Sequence, residues 1–343
     1  MPANHVTQPE LGALCSPYQG RRGLHRGLHV LMLGVLVLAL ALLAGCGGTQ
    51  STGSSGTSSA FHAEITDDLG RTVVLDKRPE RIVVTSASFL EPLAAVGGDV
   101  VGRPDSKTLP DFAKDKASVG KVYQIDVEKV LACEPDLVIV NKGMNEKLVD
   151  TLEGNGIQTL VVSGKTYADV QHEISMFAQV TGETAKGEQV LSDMDAQLAQ
   201  VKEQIKGQST PRVAIIHSTT NGLSVQLPGS IAGSVAELLG WTNTAADLTP
   251  NKKHPDTAPY SLESLVAQNP DVLFITSMGD IEAIKASMTQ TMQENPAWQT
   301  IPAVRDGRVY YLPQNLFLLS PGLHYPEAAA YMAHCLYPEA VTK

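Results

Sequence analysis

The chain reads as an α/β protein of two similar parallel-sheet lobes joined by one long α-helix, on three observations. First, a phrase recurs. Asp126-Val127-Glu128-Lys129-Val130-Leu131-Ala132-Cys133-Glu134-Pro135-Asp136, followed by apolar Leu137 to Val140, returns as Ser261-Leu262-Glu263-Ser264-Leu265-Val266-Ala267-Gln268-Asn269-Pro270-Asp271, followed by Val272 to Ile275. Second, strand-like and helix-like segments alternate in both halves. Third, residues 185–206 between the halves keep a helical pattern without Pro and with Gly187 alone as a weak point.

Each copy of the phrase supplies a helix-capping residue (Asp126 or Ser261), an acid in the first turn (Glu128 or Glu263), an apolar face and a Pro-Asp break before a buried strand. Such a duplication puts one exposed carboxylate on each lobe, a pattern suited to docking rather than catalysis. Around the first copy, the β-branched run Arg81–Thr85 predicts a strand, and Ser88–Gly97 predicts a helix closed by glycine. Asp126–Cys133 is the repeat helix, Leu137–Val140 a strand, Asn145–Asn155 a helix and Thr159–Val162 a strand. The second half follows suit with strands Val213–His217, Val272–Thr276 and Arg308–Leu312, and helices Ser230–Leu239, Leu262–Gln268 and Ile281–Asn295. Alternation of this kind implies parallel sheets with helical crossovers. Tyr167–Lys206 is helical apart from a break at Thr181-Gly182, and its last stretch would extend about 30 Å at 1.5 Å per residue. A spacer that stiff disfavours a flexible hinge.

The N-terminus sets the compartment. Arg21, Arg22 and Arg26 precede the apolar run Val30–Leu43, which fits a signal-peptide core and falls short of the ~20 residues of a spanning helix. The run ends in Leu43-Ala44-Gly45-Cys46, which resembles a bacterial lipobox. That resemblance implies removal of residues 1–45, lipid on Cys46, and anchorage on the outer face of a cytoplasmic membrane. Gly47–Ser59 is nearly all Gly, Ser and Thr and makes a flexible tether. The expected organisation is a signal peptide (1–45), lipidated cysteine and tether (46–60), first lobe (61–166), helical connector (167–207) and second lobe (208–343). Of the other cysteines, Cys15 falls in the removed segment, and Cys133 and Cys335 have no paired spacing, so no disulfide or metal site is expected. The formal charge of −10, from 26 Lys+Arg and 36 Asp+Glu, argues against nucleic acid as a partner.

The lipobox and the opening Ile65-Thr66-Asp67-Asp68-Leu69-Gly70-Arg71-Thr72-Val73 come first, with Pro79-Glu80-Arg81-Ile82-Val83 after them. The paired repeats, the helical connector, and the closing Trp298–Tyr311 run with Leu336-Tyr337-Pro338 complete the pattern. Together these resemble the substrate-binding proteins of iron-complex and cobalamin ABC importers. The likeness spans nearly everything after the tether and rests on order and spacing rather than on any one motif. It implies two rigid lobes around a shallow cleft, with a glutamate at each lobe tip meeting arginines of the permease; Glu128 and Glu263 are the matching residues. The implied role is capture of an iron complex, heme or ferric siderophore, and its delivery to a permease driven by a cytoplasmic ATPase. No intrinsic cofactor is implied, and cobalamin is the alternative cargo.

In open α/β sheets, ligands lie beyond the carboxyl ends of the strands. That rule selects the segments 85–88, 119–124, 141–145, 217–220, 252–260, 276–279 and 315–325. Their candidate ligand-binding residues are Ser86, Ser88, Tyr123, Met144, His217, Ser218, Tyr260, Met278, Phe317 and His324. In heme-binding members of the family, residues shortly before the docking glutamate supply an axial iron ligand. By that resemblance Tyr123 is the first candidate, with Met278 opposite. A phenolate is a hard donor suited to ferric iron and a thioether a softer one. Apolar packing is the competing role for both, and a satisfied core position the competing role for His217. The basic turn Lys252-Lys253-His254 is either solvated or placed to meet an anionic cargo.

Enzyme signatures are weak. Ser163-Gly164-Lys165-Thr166 has only the tail of a phosphate-binding loop, and GxSxG, HExxH and CxxC are lacking. A lipoprotein for a bare transition metal is a further alternative. It needs three or four converging ligands, whereas His62, His172, His217, His254, His324 and His334 are scattered along the chain.

Overall fold

The computed structural model of the chain describes residues 61–219 and 222–341. The expected signal peptide, Cys46 and the expected tether lie outside the described residues. The first element is an antiparallel hairpin, β1 (Ala63–Thr66) and β2 (Thr72–Leu75). Buried Asp67 organises its turn. Its carboxylate accepts from Leu69 N and Arg71 N (both 3.0 Å) and from Arg71 Nη2 (2.6 Å), and from Val161 N (3.2 Å), which ties the hairpin to the first sheet.

The first lobe runs through β3 (Ile82–Val84), α1 (Leu90–Ala95), β4 (Gly102–Asp105), β5 (Ala117–Lys121) and β6 (Gln124–Ile125). It continues with α2 (Val127–Ala132), β7 (Leu137–Asn141), α3 (Val149–Gly154) and β8 (Gln158–Val162). Its six strands lie in the order β6-β5-β4-β3-β7-β8 and are parallel except for the β5/β6 hairpin. The central strands β3 and β7 are apolar and buried on both faces, as parallel strands covered by helices must be.

The connector is a helical pair, α4 (Tyr167–Thr181) and α5 (Thr184–Gln204). Thr166 and Asp169 form a reciprocal capping box that starts α4, and Gly182, at φ 71°, ends it in the left-handed conformation. The second lobe follows with β9 (Arg212–Thr219), β10 (Gly222–Gln226), α6 (Ile231–Leu238), β11 (Thr242–Asn243) and β12 (Thr257–Pro259). After these come α7 (Leu262–Gln268), β13 (Val272–Ser277), α8 (Ile281–Glu294), α9 (Pro302–Arg305), β14 (Val309–Tyr311), α10 (Gln314–Phe317) and α11 (Tyr325–Leu336). The second sheet has the order β12-β10-β9-β13-β14, with β11 also on β9.

The elements expected from the sequence are present with shifted ends, and the two sheets are separate. Three features depart from the simplest reading. The second sheet is mixed, because β10 is antiparallel to both β9 and β12. The strands β4 to β6 and β10 to β12 carry Pro104, Pro259 or polar residues, and β6 and β12 are sheet edges, so they lack the apolar runs that mark β3 or β13. Finally, α5 does not brace the lobes alone. It packs against α4 and α11, and one continuous core links Val84 and Phe89 of the first lobe through Phe177 and Leu198 to Ile215 and Phe274 of the second. Within it Phe89 and Phe177 meet edge to face at 5.9 Å. Each fully buried side chain of this size contributes roughly 1.5–3 kcal/mol.

Candidate functional site: the cleft between the lobes

The carboxyl ends of both sheets converge on a cavity of about 420 Å³. From the first lobe it receives Asn141 to Met144 after β7 and Ser163 to Lys165 after β8; from the second, His217 on β9, Gln226 on β10 and Met278 after β13. A second cavity, about 610 Å³, opens beside it between α1, residues 106–110 and residues 314–327. Leu318, Leu319 and Ser320 line both, so the two form one groove divided by this segment.

Of the candidates, Met144, His217, Met278 and Phe317 line the first cavity, and Ser88 and His324 the second. Met144, Met278 and Leu319 are exposed (43%, 51% and 41%), giving the first cavity an apolar rim over a polar floor. The other four stand apart. Ser86 is buried, and its hydroxyl meets that of Ser88 at 2.8 Å. Ser218 is also buried, and its carbonyl accepts from Met278 N (3.1 Å), shaping the turn that presents the methionine. Tyr260 stacks on Trp298 with ring centroids 6.4 Å apart, and burial pushes its phenol up to about 12. Tyr123 projects from the β5/β6 turn at 67% exposure with Lys121 Nζ 5.8 Å from its ring centre, and it lines neither cavity. Tyr123 and Met278 therefore do not share a cavity, and a pair of axial ligands is not assembled here. Tyr325, the last residue of the 315–325 segment, is fully buried at the start of α11, and its hydroxyl donates to Lys165 O at 2.8 Å.

His217 Nδ1 shares a 2.9 Å hydrogen bond with Thr276 Oγ1. Burial lowers its pKa, and the nearby Asp256 carboxylate opposes that shift only in part. In the second cavity His324 bridges lobes and helices: Nε2 lies 3.0 Å from Glu91 on α1, and Nδ1 lies 3.2 Å from Glu327 on α11. The Glu91 hydrogen bond holds the His324 pKa above its ordinary value against burial, and His324 holds Glu91 below its own.

Sequence reasoning missed Lys165 and Gln226, and it selected the segment 252–260 without singling out Asp256. Lys165 Nζ reaches across the cleft to Asp256 Oδ2 at 2.9 Å. The segment Ser163–Thr166 is thus a cavity wall and a helix cap. A Cβ built at Gly164 would lie 2.7 Å from Glu173 Oε2 and 2.8 Å from Ser320 Oγ, so a larger residue would displace both side chains. The same strand-end rule that selected 141–145 applies to the residues after β8 and would have found Lys165. Gln226 ends β10, an antiparallel strand that the alternation pattern conceals.

Glu128 and Glu263 are both exposed in the first turns of α2 and α7. Asp126 caps α2 by accepting from Glu128 N and Lys129 N, and Ser261 caps α7 by accepting from Ser264 N. Among the described residues, no group of three or more His, Cys, Asp or Glu is placed to hold a metal ion, and no helix is long and apolar enough to cross a membrane.

Two sheets, a helical connector and a groove at the strand ends define a class, and the comparisons agree: the chain belongs to the periplasmic binding protein family, matched over residues 82–316. It is 24% identical over 315 residues to the probable siderophore-binding lipoprotein YfiY of Bacillus subtilis (strain 168), covering 89% of this chain and 95% of that protein. To the iron(3+)-hydroxamate-binding protein YxeB of the same organism it is 28% identical over 294 residues, covering 82% of this chain and 88% of that one. Among solved structures, an ABC transporter substrate-binding protein from Listeria monocytogenes EGD-e superposes with a TM-score of 0.69 at 25% identity, covering 76% of this chain and all (100%) of that chain.

Proposed function

We propose that this protein is the extracytoplasmic substrate-binding lipoprotein of an ABC importer, and that it captures an iron complex in the groove between its lobes for delivery to a permease. The observation that carries the reading is the groove itself. It lies at the carboxyl ends of both sheets, with exposed Met144, Met278 and Leu319 above a hydrogen-bonding floor. An apolar rim over a polar base suits an amphipathic chelate that brings its own iron ligands. A bare metal ion would need protein ligands that converge, and the described residues offer no such cluster. The names of the relatives, a siderophore-binding lipoprotein and a ferric hydroxamate-binding protein, support the same cargo class. The family is one of solute-binding proteins, and the role in this reading is binding.

Cys46 is the lipid attachment site in this reading, with residues 1–45 removed and 46–60 the tether. Glu128 and Glu263 dock to the permease. An exposed ion pair contributes only about 0–1 kcal/mol, so the two carboxylates act through orientation and encounter rate rather than through affinity. The test is calorimetric titration of the full chain with ferric siderophores, hemin, cobalamin and zinc, paired with iron uptake by cells that carry or lack the gene. Saturable binding of a ferric complex and loss of its uptake without the gene are expected. Binding of zinc alone, or of cobalamin alone, would reject iron-complex capture.

A further inference from the structure

The correspondence between the two copies of the repeat continues past their strands. β7 and β13 hold the same place, second from one edge of their sheets and parallel to both neighbours. In the register that aligns Asp136 with Asp271, each strand runs out into a glycine and a methionine in opposite order, Gly143-Met144 and Met278-Gly279. Both glycines take positive φ, 86° and 123°, and turn the chain at the strand end. Each turn is fastened from its own lobe. Buried Asn145 donates through Nδ2 to Val122 O (2.8 Å), and Met278 N donates to Ser218 O (3.1 Å). The backbone is held while both methionine side chains stay exposed, and both line the first cavity. One thioether is thus supplied to the cleft from each lobe, at equivalent stations. Methionine is long, unbranched and polarisable, and its sulfur favours contact with aromatic rings. Phe317 is the one phenyl ring among the residues that line this cavity, and it is buried, with its ring against Tyr331. A ring to cover the exposed thioethers therefore has to arrive with the cargo. Ferric catecholates and porphyrin propionates are anionic, and the wall admits them: Lys165 offsets Asp256 at 2.9 Å, while Lys142, bonded to the Asp68 carbonyl at 2.6 Å, and His254 line the same cavity.

We propose that Met144 and Met278 form a two-sided clamp on aromatic rings of the cargo, so that the cleft selects a ferric complex with an exposed π face, a catecholate or a porphyrin, over an aliphatic chelate. The inference rests on iron-complex capture and names the chemistry of the cargo surface. The thioethers touch ring carbons and make no bond to iron. Because the two methionines are equivalent by the repeat, each contributes to the grip, and neither is a spectator.

Ferric enterobactin and hemin present aromatic rings, whereas ferrioxamine B and ferric aerobactin are aliphatic and carry opposite charges, so the series separates aromaticity from charge. Titrated calorimetrically into the full chain, one of the two aromatic complexes should bind at least about tenfold more tightly than either aliphatic one, and which of them does so tells catecholate from porphyrin. Met144→Ala and Met278→Ala should each weaken that complex about tenfold, and any aliphatic chelate that binds by no more than about threefold. Both side chains are exposed, so their truncation leaves the core intact, and unchanged melting temperatures would verify it. An aliphatic chelate bound as tightly as the better aromatic complex, a loss at one methionine only, or losses equal for both ligand classes would overturn the clamp while leaving iron-complex capture standing. Failure of every ferric compound to bind would instead overturn iron-complex capture.

Discussion

Glu173 on α4 is completely buried, and neither carboxylate oxygen has a hydrogen-bond partner among the described residues. It lies under Gly164 and Ser320, where the two cavities meet. Burial first, then the charges of Asp68 and Asp169, raise its pKa well above 4.5. The folded state therefore holds a proton that the unfolded state releases above about pH 4.5, so stability falls as pH rises from there toward the folded-state pKa and is level beyond it. While that proton is held the slope approaches about 1.4 kcal/mol per pH unit. Glu173→Gln should remove this slope; denaturant melts of both proteins from pH 4 to pH 8 would show it, and parallel curves would refute it. The repeat shows residue-scale design as well. Glu134 and Asn269 both take positive φ, 46° and 49°, just after their helices and just before proline. Arg81 and Arg212 each donate to a carbonyl at the end of the adjoining repeat helix, while Asp136 and Asp271 each accept their backbone N–H. The Pro-Asp break that is legible in the sequence is thus a helix stop and a strand anchor at once, used twice.

At the scale of elements, the α4/α5 crossing depends on Gly187. A Cβ there would lie 2.5 Å from Ala178 Cβ, on the facing helix, with no flexible side chain to yield. Alanine would add up to about 1 kcal/mol of helix propensity, but overpacking typically costs about 1–3 kcal/mol, and steric crowding should win. Gly187→Ala is expected to lower the melting temperature, and Ala178→Gly in the same chain should recover most of the loss. No recovery would place the cost elsewhere. In the sequence, Gly187 reads as a blemish in a long helix. What makes it necessary is α4 lying against α5, and periodicity carries no information on that pairing. The edge strands escape for a related reason: β6, β11 and β12 are defined by the neighbour they pair with, not by an apolar pattern of their own. The same holds for α11, whose Ala-rich face is set by packing on α5 and α6.

At the scale of the molecule, the core running through both lobes predicts that cargo binding changes their relation little. X-ray scattering profiles of the free and loaded protein should superimpose, and a marked contraction on loading would contradict this. The exposed Glu128 and Glu263 lie outside both cavities, so Glu128→Arg with Glu263→Arg should leave cargo affinity within about twofold while reducing uptake by about tenfold or more. Unchanged uptake with a folded double variant would reject docking through these residues. Sequence by itself determined the class. The duplicated phrase, the α/β alternation and the long helical connector are local or periodic signals, written into neighbouring residues by capping, burial and turn chemistry. It also located most cleft loops, because strand ends follow from strand positions. Only the tertiary structure decided which side chains share the cleft. It turned Tyr123 outward, sent Tyr260 onto Trp298 and Tyr325 into the interior, and brought Lys165 to Asp256. Those outcomes depend on long-range packing between lobes, where the approach of distant segments, not residue type, fixes what a side chain meets.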